Sequence, residues 1–119
     1  MSKSISQLTR LQREFDLRHG SHGTPWATAI TDDNIPLLLE LVVALAGEVG
    51  ELANISKKIA RGDFTLVSAK SNIAAELADV LIYLLKLSDQ LGVDLEEAFQ
   101  QKLEFNDRRF ERFSLEPPH

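Results

Sequence analysis

The sequence predicts an all-α fold, a four-helix bundle with enough apolar surface left over to build an oligomer. Three observations carry this. Apolar residues recur at helical spacing in four segments, no segment alternates with period two, and nothing reads as a β-hairpin. Glycine, proline and capping residues fall between those segments. The two middle segments are apolar around much of their circumference, more than one small bundle needs. At 119 residues the chain is a single domain over 1–119, with room for a real but modest core.

Each element follows from local chemistry. Ile5, Leu8, Leu11 and Phe15 share a helical stripe, so 4–19 is the first helix, with Phe15 in its core face. GSHGTPWATAITDDN then reads as a long loop. Asp33 or Asn34 caps the second helix, 35–61, which accepts Pro36 in its first turn and stops at Gly62. Thr65, Ser68 and Ser71 are candidate starts for a third helix, 68–91, which ends at Gly92. Asp94 with Glu97 fits a capping box and opens the fourth, 94–113, leaving 114–119 to fray.

Composition excludes several classes. A net charge of −5 leaves no concentrated basic face, so a nucleic-acid partner is not expected. With no cysteine, there is neither a disulfide framework nor a thiolate metal site, which suits a reducing compartment. The N-terminus lacks the apolar core of a signal peptide, and Glu40, Glu48 and Glu51 interrupt the longest apolar stretch. No membrane association is expected, and the default location is cytoplasmic.

The motif that calls for chemistry is GEVGELA, residues 47–53. Glu48 and Glu51 stand i,i+3 among Leu45, Leu52 and Ile55; Glu76 and Asp79 repeat the spacing among Ile73, Val80, Ile82 and Tyr83. If the second and third helices form an antiparallel hairpin, the four acids converge. Two carboxylates about 6 Å apart repel by roughly 3 kcal/mol at an effective dielectric near 20, and divalent cations turn that repulsion into ligation. All-oxygen ligands favour Mg²⁺ or Mn²⁺. A di-iron bundle calls for Glu-x-x-His, and His19, His22 and His119 do not supply it.

GEVGELA together with AELADVLIYLLKLSDQLGVDLEEAFQQK resembles the MazG-type nucleotide pyrophosphohydrolases, especially the dCTP pyrophosphatase branch, over about residues 35–110. The resemblance implies a helical homodimer or homotetramer. It also implies Mg²⁺-dependent hydrolysis of a nucleoside triphosphate, such as the pyrimidine nucleotide dCTP, to monophosphate and pyrophosphate. On it, Glu48, Glu51, Glu76 and Asp79 are metal ligands and Tyr83 lies beside the substrate. Lys102, Asn106 and Arg109 in KLEFNDRRF match a phosphate-binding K-x-x-x-N-x-x-R stretch. The chain departs from the pattern in three places. Gly47 stands where many relatives carry a first acid, Lys58 where some carry Trp, and Phe110-Glu111 where the family closes with Tyr-Pro.

Spacing adds further candidates. Lys58 follows Glu51 by seven residues and Lys86 follows Asp79 by seven, so each returns to nearly the same helix face. Either contacts phosphate, or is solvated or paired across the bundle. Trp26 stacks on a base or pins the loop. Glu48 or Glu51 orients or deprotonates the attacking water. Two other functions compete: a nucleotide- or metal-binding module without turnover, and a structural helical oligomer. Against the second stand four acids with no Lys or Arg interleaved in the two motifs.

Overall fold

The computed structural model of the protein describes residues 2–115; the last part of the expected frayed tail, 116–119, lies outside the described residues. Four α-helices dominate: α1 (Ile5–Arg18), α2 (Ile35–Ala60), α3 (Leu66–Leu91) and α4 (Leu95–Arg109). Two-residue strands β1 (Gly20–Ser21) and β2 (Thr24–Pro25) follow α1, and 3₁₀ turns occupy Asp32–Asn34 and Glu111–Phe113.

The ends are set by side-chain and backbone caps. Ser4 and Gln7 form a reciprocal capping box at α1, with bonds of 3.1 and 2.7 Å. Asn34 stands at the N-cap of α2 but makes no cap bond; its side chain instead serves Thr31 and Ala29, shaping the turn that delivers the chain to α2. Thr65 accepts from the Ser68 N–H at 3.1 Å, so α3 begins two residues before the expected 68. Asp94 likewise caps Glu97 at 3.0 Å, and α4 stops at Arg109 instead of running to 113. After α2, Asp63 N–H reaches Lys58 O and Gly62 N–H reaches Ile59 O, a Schellman closure that needs the positive φ of Gly62.

Two expectations require correction. The loop holds a hairpin after all: Gly20 pairs with Pro25 and Ser21 with Thr24, closed by His22 and Gly23 at φ of 54° and 80°. Two positive φ values in succession are what a tight hairpin turn demands, and strands of two residues are too short to show alternation. The α1 stripe is also rotated. Ile5, Leu8, Thr9 and Gln12 are half-buried and Asp16 is buried, whereas Leu11 and Phe15 are 47% and 43% exposed. Phe15 is therefore not a core residue; it borders an open cavity and stacks on His19, with ring centroids 4.1 Å apart.

α2 lies along α3 as the most extensive packing in the molecule, α1 packs on α3, and α4 packs chiefly on α1. The α2 seam comprises Leu41, Ala44, Leu45, Glu48, Leu52, Ile55 and Ile59, all half-buried. Its opposite face, with Leu39, Val42, Val43 and Val49, is open to solvent. Among the described residues only Ala69 and Leu85 are fully buried apolar side chains. The radius of gyration is 18.1 Å, against about 13–14 Å for a compact domain of this length. A single copy is thus a spread set of four helices with a thin core.

Candidate active site

The site grows out of the α2–α3 seam. Glu48 and Glu51 sit on α2, Glu76 and Asp79 on α3, and the antiparallel register brings Glu48 across from the α3 pair. Glu48, Glu76 and Asp79 each offer a carboxylate oxygen, and these atoms all lie within 4.8 Å of one another. All three residues are half-buried, as are the apolar neighbours Leu45, Leu52, Ile55, Ile73, Val80, Ile82 and Tyr83. Glu51 is exposed and stands outside this trio, although it has the same i,i+3 spacing from Glu48 that Asp79 has from Glu76. Its charge still reaches Glu48.

Crowding shows in the electrostatics. Partial burial pushes the Glu48 carboxyl above the usual glutamate range, hydrogen bonding with Glu76 adds to it, and the charges of Asp79, Glu76 and Glu51 push the same way. Glu76 Oε2 is buried with no hydrogen-bond partner. A carboxylate oxygen denied both water and a donor is costly unless something positive meets it. This is the observation on which a divalent cation fits the residues present, with Glu48, Glu76 and Asp79 as its holders.

Beside the acids lies a cavity of about 470 Å³ bounded by Glu48, Asp79, Tyr83, Lys86, Phe15 and Trp26. A second, of about 530 Å³, shares Trp26, Tyr83 and Lys86 and is otherwise walled by the apolar Pro25, Leu37, Leu41 and Ala44 and the polar Ser21, Thr24, Thr28 and Glu40. Trp26 is positioned from below: its backbone N–H donates to the carbonyls of His19 and Asp16 at 2.9 and 3.1 Å, and its indole N–H to Ser21 Oγ at 3.0 Å. His19 stacks on it at 5.8 Å. Trp26 is therefore both pinned and 43% exposed.

Lys86 pairs across the bundle. Its ammonium donates to Asp16 Oδ1 at 3.1 Å, with side-chain exposures of 12% and 3%. The expected cations elsewhere are not gathered to the acids. Lys58 lies on α2 and borders neither cavity; Lys102, Asn106 and Arg109 lie on α4 and border neither. Lys102 and Arg109 cover the rings of Phe105 and Phe110 at 4.8 and 4.9 Å. Sequence reasoning missed Asp16 and His19. Asp16 is four residues after Gln12 on the buried face, a spacing that would have flagged it had the α1 stripe been phased correctly.

Among the described residues no helix is long and apolar enough to cross a membrane. Residues 38–113 match the MazG nucleotide pyrophosphohydrolase domain model. The Gene 37 protein of Mycobacterium phage L5 is 37% identical over 73 residues, covering 60% of this chain and 64% of its own length. The dCTP pyrophosphatase 1 of Homo sapiens is 38% identical over 74 residues, covering 59% of this chain and 44% of its own. The chain thus spans about half the length of these curated relatives. No solved structure matches it. With the family model covering most of α2, all of α3 and α4, and every acid of the cluster, the chain belongs to the MazG nucleotide pyrophosphohydrolase domain family.

Proposed function

We propose that this chain hydrolyses a nucleoside triphosphate to the monophosphate and pyrophosphate, with a pyrimidine deoxynucleotide such as dCTP as the leading substrate. The convergence of Glu48, Glu76 and Asp79 around a buried, unpartnered oxygen carries the reading, since a triphosphate approaches such a cluster only through cations. The nucleotide preference is carried over from the human relative's name. Mg²⁺, with Mn²⁺ as the alternative, would be held by those three carboxylates with Glu51 at their edge, and would supply Lewis-acid polarisation of phosphoryl oxygens and neutralise developing charge.

The chain's own residues supply the remainder. Glu51, exposed beside the trio, orients the attacking water and accepts its proton on a carboxylate oxygen as the water adds to the α-phosphorus and pyrophosphate departs. Glu48 serves first as a holder, because its carboxylate lies within 4.8 Å of those of Glu76 and Asp79. Tyr83 and Trp26 flank the nucleoside in the adjoining cavities.

The working form is a homodimer or homotetramer. The exposed apolar face of α2 and Phe99, Leu103 and Phe105 on α4 are the surfaces it would bury, supplying the core a single copy lacks. Lys102, Asn106 and Arg109 would then meet phosphate from a second copy. Pyrophosphate release from a panel of NTPs and dNTPs, with Mg²⁺ and then with chelator, tests the reading. Release unchanged by chelator, or by Glu51→Gln, removes it.

A further inference from the structure

We infer that Asp16 and Lys86 form a base-reading pair: an anchored hydrogen-bond donor that selects the nucleobase through an acceptor atom on its edge and does not serve as a phosphate contact. The inference rests on the nucleotide reading above and assigns a specificity role within the same site.

Charge decides between base and phosphate. A lysine that meets phosphate contributes its positive charge, but the Lys86 ammonium lies 3.1 Å from a carboxylate that is only 2% exposed as a residue. The pair is neutral as a unit, and a neutral donor in a water-poor wall suits a neutral, polar partner. An ammonium has three donor protons and no acceptor. Asp16 takes one, and the indole face of Trp26 lies 5.6 Å from the nitrogen. Among the described residues no other acceptor meets it, so a donor remains for a ligand.

Placement agrees. Lys86, Trp26 and Tyr83 are the three residues common to both cavities. A molecule with its polyphosphate at the acids and its flat, uncharged part among Leu37, Leu41 and Ala44 must pass Lys86. Asp16 fixes the donor and the aromatic plane together. Its carboxylate also accepts from Gln12 Nε2 at 3.1 Å, and its carbonyl accepts the N–H groups of Trp26 and Ala27 at 3.1 and 3.3 Å. Keto oxygens and unprotonated ring nitrogens are the base atoms such a donor recognises, and a site built around one rejects bases that present a donor there.

The test compares wild type, Lys86→Met and the double variant Asp16→Asn with Lys86→Met, which leaves no unpaired buried charge if the single variant fails to fold. Binding of the four dNTPs and of inorganic tripolyphosphate is measured by calorimetry with Mg²⁺, alongside pyrophosphate release. Loss of the donor is expected to weaken the preferred dNTP by about 10- to 100-fold, shrink the ratio between best and worst base, and leave tripolyphosphate within about twofold. Parallel loss for every ligand, tripolyphosphate included, identifies a phosphate contact and overturns the inference. An unchanged base ratio makes the pair a structural strut and overturns it as well. The two readings separate cleanly: base-dependent binding without turnover in wild type sinks the hydrolase and leaves the pair, whereas turnover with an unaltered ratio does the reverse. A wild type that binds no nucleotide ends both.

Discussion

Replacing Glu76 with Gln is expected to stabilise the protein in the absence of metal, although it removes a charged group from a half-buried seam. Glu76 and Asp79 offer oxygens within 4.8 Å of each other. Two full charges at that distance repel by about 3.5 kcal/mol at an effective dielectric of 20 and by about 0.9 in bulk water. Half-buried side chains fall between those limits, so about 1–3 kcal/mol is released. The sum counts only the α3 pair, whose charges the substitution separates most directly. No hydrogen bond is forfeited at Oε2, which has none. For a domain of this size the gain corresponds to roughly 5–10 °C in melting temperature. Thermal unfolding followed by circular dichroism, in chelator and at saturating Mg²⁺, reads both halves. If the acids hold Mg²⁺, wild type is expected to gain stability from it by linkage and the variant to lose most of that gain. A variant that melts below wild type in chelator would show that Glu76 makes favourable structural interactions, and the ligand argument would be wrong.

The raised Glu48 pKa fixes a sign. The folded chain holds that proton more tightly than the unfolded one, so metal-free stability is lost as pH rises from the usual glutamate range through the raised value. The melting temperature of wild type minus that of Glu48→Gln should therefore fall across that acidic window, and a flat difference refutes the assignment. Lys86→Ala strands a carboxylate that is 2% exposed and should cost about 3–5 kcal/mol in chemical denaturation, most of it recovered in Asp16→Leu with Lys86→Met. Equal losses in the single and double variants would contradict a buried pair. In Gly20→Ala the new Cβ would lie 2.2 Å from Thr24 O, so the hairpin must shift at a cost of about 1–3 kcal/mol. Trp26 is the only tryptophan, and its emission should move with the hairpin; an unchanged spectrum and melting temperature would speak against the close approach.

The acids were legible because an i,i+3 pair against apolar neighbours has few other uses, and Glu48, Glu76 and Asp79 converge as that pattern required. Glu51 did not join them because spacing gives the angle between two side chains and not where the facing helix grips. Lys86 was half legible. Its return to the Asp79 face could be read from α3 alone, but its partner lies 70 residues away on a helix whose apolar Leu11 and Phe15 point outward. The α4 residues Lys102, Asn106 and Arg109 show the same limit: their mutual spacing is local, whereas the face α4 presents to the rest of the molecule is a tertiary matter. Helix ends written in side-chain caps, such as Thr65 and Asp94, were readable to within two residues. The hairpin was not, because two residues per strand carry no period.

One register underlies the α2–α3 part of the site. Glu48 lies across from Glu76 and Asp79, and one and two turns back along α2 Ala44 and Leu41 line a cavity with Tyr83 and Lys86, so the α2 and α3 groups follow from a single antiparallel alignment. To it α1 adds Asp16, and the stretch after β2 adds Trp26. Sliding α3 by one residue would rotate its face by 100° and scatter the acids. The alignment is held at its closed end by the Schellman turn at Gly62 and the Thr65 cap, five residues of connection that leave little room to slip. Along α3, Asp79 and Lys86 are seven residues apart, two turns and about 10 Å of helix rise. The same two turns return Lys86 to the face of α3 that borders both cavities, and there its ammonium is paired with Asp16.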